Sequence, residues 1–125
     1  MPTKGDSEPC LLDTSAAIAF VQPSHHAHAT TYAALVGRSK GLAGHAVFET
    51  YSVLTRLASP DRLTPQAAKR LIDVNFPYSR FLSSDGSVAL VARLSASGIS
   101  GGAVYDALVA AAAAEHGLRL VSRDA

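Results

Sequence analysis

The chain has 125 residues, enough for one domain with a substantial core and too few for two. Apolar residues make up 48% and charged residues 17%, a balance that excludes a disordered chain. Net charge is +1, from 11 Lys and Arg against 10 Asp and Glu, so bulk charge does not call for a polyanionic partner.

In chain order, residues 1–9, M-P-T-K-G-D-S-E-P, lack the apolar centre of a signal peptide and read as a loose tail. Cys10, Leu11 and Leu12 form an apolar run with no polar face, which suits a strand buried on both sides. Asp13 ends the run. Thr14 and Ser15 can cap a short helix that starts at Ala16 and Ala17 and stops near Pro23. Ser24 is a good cap for a second helix reaching about Ser39, and Leu42 to Gly44 is a weak strand. From His45 to Ala58, Val47, Phe48, Tyr51, Leu54 and Leu57 recur at helical spacing. Thr64-Pro65 pairs a cap with a first-turn proline and opens the next helix. Tyr78 to Leu82 reads as a strand, and Ser84 or Asp85 caps a helix through Val88, Val91 and Leu94. Gly98 to Gly102 turn the chain into a helix from Ala103 to His116, ended by Gly117, and Leu118 to Val121 is the last strand. This alternation predicts a parallel sheet covered by helices on both faces. The single Cys, in the core strand, fits a reducing cytoplasm, and no apolar run approaches the roughly 20 residues that span a membrane.

The ten acids then divide. Asp6 and Glu8 fall in the tail, Asp61 in a loop, Asp73 inside a helix, Asp85 at a helix start and Glu115 at a helix end, all ordinary surface positions. Asp13 ends the first strand, Glu49 and Asp106 lie in first helical turns, and Asp124 follows the last strand. In a parallel sheet the strand C-termini and the following helix N-termini share one edge, where ligands bind. Each acid alone has a plain reading: Asp13 as a turn residue or helix cap, Glu49 and Asp106 as favourable first-turn charges. The four positions together point to one cleft. Clustered carboxylates repel unless protons or cations offset them. Hard oxygen ligands select Mg²⁺ or Mn²⁺, which can generate a hydroxide nucleophile and stabilise a leaving oxygen in phosphodiester cleavage.

Four stretches carry a resemblance: Leu11-Leu12-Asp13-Thr14-Ser15-Ala16, Phe48-Glu49, Gly101-Gly102-Ala103-Val104-Tyr105-Asp106-Ala107-Leu108 and Leu120-Val121-Ser122-Arg123-Asp124. Their order and spacing resemble the PIN domain, and more closely the VapC-type toxins of bacterial toxin–antitoxin pairs, over residues 10–125. The resemblance implies a three-layer α/β/α fold with a short parallel sheet. It implies a Mg²⁺- or Mn²⁺-dependent endoribonuclease, inhibited by a small VapB-like antitoxin and forming a homodimer through helices. Asp13, Glu49, Asp106 and Asp124 would be the acidic metal site, with Ser15 and Ser122 as supporting polar groups. Members of the family continue past the fourth acid into another helix and strand, so the domain is expected to be cut short at Ala125.

Other constellations are weaker. His25, His26 and His28 read as a solvated first turn, without a Cys or acid to complete a Zn²⁺ set, and His45 reads as a surface residue. Cys10 reads as core rather than nucleophile. An aspartyl phosphatase would place a second Asp where Ser15 stands. A receiver domain would need a Lys at the end of a late strand, and the lysines are Lys4, Lys40 and Lys69. The alternative from another class is a non-catalytic α/β interaction module.

Overall fold

The computed structural model describes residues 8–123. In order these form β1 (Cys10–Leu12), α1 (Thr14–Val21), α2 (His28–Leu35), β2 (Lys40–Leu42), α3 (Ala46–Thr55), α4 (Pro65–Asn75), α5 (Ser84–Ser97), α6 (Ala103–Glu115) and β3 (Leu120–Val121). The sheet is parallel and ordered β2-β1-β3, with Leu11 opposite Gly41 on one side and Leu120 on the other. Successive strand residues point to opposite faces. All three residues of β1 have no exposed surface, so both faces of the central strand are covered. This is the expected α/β arrangement with a short parallel sheet. Burying Leu11 and Leu12 contributes about 1.5–3 kcal/mol each. Around them gather Ala16, Ala17, Phe20, Leu42, Leu54, Ile72, Phe76, Val109 and Ala113.

The order 2-1-3 sends the chain from β1 to one neighbour and then across to the other. β1 therefore sits at the point where the winding reverses, and a crevice opens beyond its C-terminal end. Asp13 occupies that position. Its amide donates to the Val121 carbonyl at 3.0 Å, which aligns the ends of β1 and β3.

Several boundaries differ from the sequence reading. Asp13 itself caps α1, so the helix begins at Thr14 and not at Ala16. The second helix starts four residues later than Ser24, at His28, because the chain turns first. There the His25 Nδ1 accepts from the Ala27 amide at 3.0 Å, and His28 contacts the Ala19 carbonyl at 2.9 Å. β2 begins at Lys40. This residue is 8% exposed, and its ammonium donates to the Leu35 and Arg38 carbonyls and lies 4.6 Å over the Phe20 ring. Burial holds this lysine below its ordinary pKa. Ser83, rather than Ser84 or Asp85, caps α5, accepting from the Gly86 amide.

Tyr78 to Leu82 does not form a regular strand. It makes one parallel bridge, Ala43 with Arg80, beside β2. The Ser79 hydroxyl accepts from the Leu42 amide at 2.9 Å, a position a neighbouring carbonyl would hold in a ladder. Gly41 permits this approach. A methyl group there would lie 2.1 Å from the Tyr78 carbonyl carbon. Thr64, by contrast, caps α4 as expected, accepting from Ala67 with Pro65 in the first turn.

Candidate active site

The Asp13 carboxylate is held by two hydrogen bonds. Its Oδ1 accepts from the Ala16 amide at 2.9 Å as the cap of α1, and from the Ser15 hydroxyl at 2.7 Å. That hydroxyl in turn accepts from the Arg123 amide at 2.8 Å. A chain of hydrogen bonds thus runs from the segment after β3, through Ser15, to Asp13. Aspartate suits the position because a short acceptor satisfies the first free amides of the helix.

Glu49 lies in the first turn of α3 and Asp106 in the first turn of α6. Neither helix has a side-chain cap, so their free amides and dipoles favour a carboxylate nearby. Glu49 also approaches His45 Nε2 at 3.4 Å, one turn earlier. His45, read from sequence as a surface residue, instead pairs with Glu49 and stacks on the Tyr105 ring at 4.9 Å.

These residues meet. Asp13, Thr14, Ser15, Glu49, Tyr105, Asp106, Val109, Leu120 and Ser122 line one cavity of about 470 Å³ at the β1–β3 end of the sheet. Five of the six residues singled out from the sequence are among them. Asp124 lies outside the described residues. Larger hollows, of about 580 and 650 Å³, adjoin α4. Each holds one acid, Asp73, which Lys69 pairs one turn away. Chemistry, not size, selects the smaller cavity. Tyr105 was not singled out from sequence. Its only sequence signal is adjacency to Asp106, and an exposed tyrosine at a helix start has no distinctive spacing.

The cavity's donors are carboxylates and hydroxyls, the oxygen set preferred by a hard divalent cation. They line a common space without forming a ready-made cage: among the described residues, no three His, Cys, Asp or Glu side chains are grouped tightly enough to hold an ion. This suits a cation that keeps several waters and takes one or two carboxylates, as Mg²⁺ does. Cys10 is buried with its Sγ toward the Ser39 carbonyl, away from solvent, in keeping with a core role.

The pattern defining the PIN domain matches residues 10–125. The chain belongs to the PIN-domain family. Among its relatives is Ribonuclease VapC27 of Mycobacterium tuberculosis strain H37Rv, 49% identical over 117 residues, covering 94% of this chain and 85% of that protein. Ribonuclease VapC40 of M. tuberculosis strain CDC 1551 is 38% identical over 114 residues, covering 90% and 84%. Within the family, this PIN domain is therefore of the VapC type. No helix among its described residues is long and apolar enough to cross a membrane.

Proposed function

We propose that this PIN domain is the toxin of a toxin–antitoxin pair, a Mg²⁺- or Mn²⁺-dependent endoribonuclease acting in the cytoplasm. The observation that carries the reading is the meeting of Asp13, Glu49 and Asp106, from three elements, in one cavity at the reversal point of the sheet. The 49% identity to a protein named as a ribonuclease supports the choice of RNA.

Asp13 and Asp106 are the leading candidates for direct metal ligands, then Glu49. Asp124 is proposed as the fourth acid on the family resemblance. A bound divalent ion would supply Lewis-acid charge at the scissile phosphate and an activated water. The chain's own groups orient that chemistry. Ser15 fixes the Asp13 carboxylate in one rotamer and leaves Oδ2 for a ligand. Ser122 contributes a further polar residue to the cavity lining. His45 stands beside Glu49 and restricts its orientation.

A small antitoxin is expected to bind near the cleft, with a basic side chain opposing the carboxylates. Homodimerisation through helices is expected as well. If co-purification with the neighbouring small protein leaves cleavage unchanged, the toxin reading loses its support.

The central test is incubation of the purified chain with structured RNAs and Mg²⁺ or Mn²⁺, with a chelator as control. Asp13→Asn and Asp106→Asn should each lower cleavage at least about a hundredfold, the scale of lost metal positioning. Asp73→Asn should change little. Equal effects from all three substitutions would sink the shared-cleft reading.

A further inference from the structure

Four rings in successive contact lead from the carboxylate cavity to the neighbouring hollow beside α4, which Phe48 and Phe81 line. Tyr105 lines the cavity itself. His45 stacks on it at 4.9 Å with the planes 19° apart. Phe48 follows at 6.4 Å from His45, and Phe81 meets Phe48 edge-on at 6.2 Å. Tyr105, Phe48 and Phe81 are 51%, 64% and 51% exposed. Adjoining aromatic surface of this kind, left in water, marks a binding site.

The row is mounted on fixed backbone. Tyr105 begins α6, while His45 and Phe48 begin α3. The Phe81 carbonyl contacts the His116 ring at 2.9 Å, and two residues on Ser83 donates twice to Glu115. The rings need not be ordered by a ligand, so binding to them loses little entropy.

The acids beside the row decide what it suits. A cleft lined by Asp13, Glu49 and Asp106 repels phosphates, and cations close to those acids would be neutralised by them. Affinity for a nucleic-acid strand is better supplied by ring faces, on which unpaired bases stack with little regard to sequence. We propose that Tyr105, His45, Phe48 and Phe81 form a base-stacking rim that seats unpaired nucleotides of an RNA strand beside the carboxylates. The inference rests on the ribonuclease reading above and assigns these rings a positioning role in it.

The test uses a short single-stranded oligoribonucleotide carrying 2-aminopurine, whose fluorescence is quenched by stacking, in chelator so that nothing is cut. Phe48→Ala and Tyr105→Ala should each weaken binding about 5- to 150-fold, the range for loss of one base–aromatic stack. Phe48→Tyr and Tyr105→Phe should retain it, which separates stacking from misfolding. Val88→Ala, on the exposed side of α5, should leave it unchanged. Equal affinity in all the alanine variants, or no binding by the unsubstituted chain, overturns the rim. So does a sedimentation result in which Phe48→Ala separates a dimer while RNA affinity stays constant, because the rings would then be a protein contact. Cleavage in Mn²⁺ is read separately. Ring-dependent binding without cleavage upholds the rim and fails the ribonuclease reading. Cleavage with KM unmoved by the alanine variants upholds that reading and fails the rim.

Discussion

Asp13 serves the fold and the site through different features of one side chain. As a cap it needs an oxygen acceptor; as a proposed metal ligand it needs a charge. The two can be separated by substitution. Asparagine caps a helix about as well as aspartate, so Asp13→Asn should fold with near-original stability and lose cleavage. Asp13→Ala should lose cleavage and also about 1 kcal/mol of stability in a denaturant titration. Equal stability of the two would show that the cap contributes nothing. Ser15→Ala removes both links of the relay from Arg123 to Asp13, and each ordinary hydrogen bond is worth about 1 kcal/mol. Its stability should fall measurably, and activity with it. The place of Asp13 at the end of the first strand was legible in the sequence, because three apolar residues precede it. Its role as cap was legible only as one reading among several. Thr14 and Ser15 are equally good capping types, and only the extended backbone at Asp13, with ψ at 178°, decides among them. The pairing of His45 with Glu49 follows helical spacing, but its stacking on Tyr105 depends on where α6 lands and leaves no trace in either segment.

At the scale of elements, the parallel sheet and most helices agree with the sequence reading, and the exceptions are strand limits and the segment from Tyr78 to Leu82. Helices announce themselves by period and by caps such as Thr64-Pro65. The strands are only two or three residues long, too short for a period, and the segment from Tyr78 to Leu82 has strand composition but pairs through a single bridge. That segment is held by two contacts that sequence does not display. One is Gly41, where the backbone of Tyr78 and Ser79 presses on β2. Gly41→Ala should destabilise the fold by about 1–3 kcal/mol or prevent folding, read by thermal melts, because backbone and not a mobile side chain must move. The other is Glu115, read from sequence as a plain helix end. Its carboxylate accepts from the Ser83 hydroxyl at 2.6 Å and amide at 2.8 Å, and these bonds hold it below the usual carboxylate pKa. The folded state therefore releases this proton more readily than the unfolded one. The contact stabilises fully above the unfolded value, about 4.5, and is lost as pH falls through the lower folded value. Melts of the original chain and Glu115→Gln should differ at neutral pH and converge in acid. Curves that stay parallel would remove Glu115 from this role.

For the whole molecule, the cleft couples charge to stability. Carboxylates gathered in one cavity without a cation favour unfolding. Asp106→Asn should accordingly keep or slightly raise stability in chelator while abolishing cleavage. Divalent metal should stabilise the original chain by about 2.7 kcal/mol at a hundredfold excess over its dissociation constant, and the Asp106→Asn chain much less. A lower melting temperature for Asp106→Asn, with neither protein responding to Mn²⁺, would make Asp106 a structural residue.

The pairing of β1 with β3 sets a schedule for synthesis. Ser15 and Arg123 are 108 residues apart, yet the hydrogen bond between them braces Asp13. Chains emerge from the ribosome N-terminus first, and contacts of long sequence separation form late. β1, α1 and β2 can assemble early, while the wall of the cleft bearing Leu120 and Ser122 waits for the C-terminal residues. A nascent chain thus carries Asp13 well before it has a finished cavity, which needs Leu120, Ser122 and the Arg123 amide. On the ribonuclease reading, the proposed site would therefore be completed only after the segment that braces its first acid has been made.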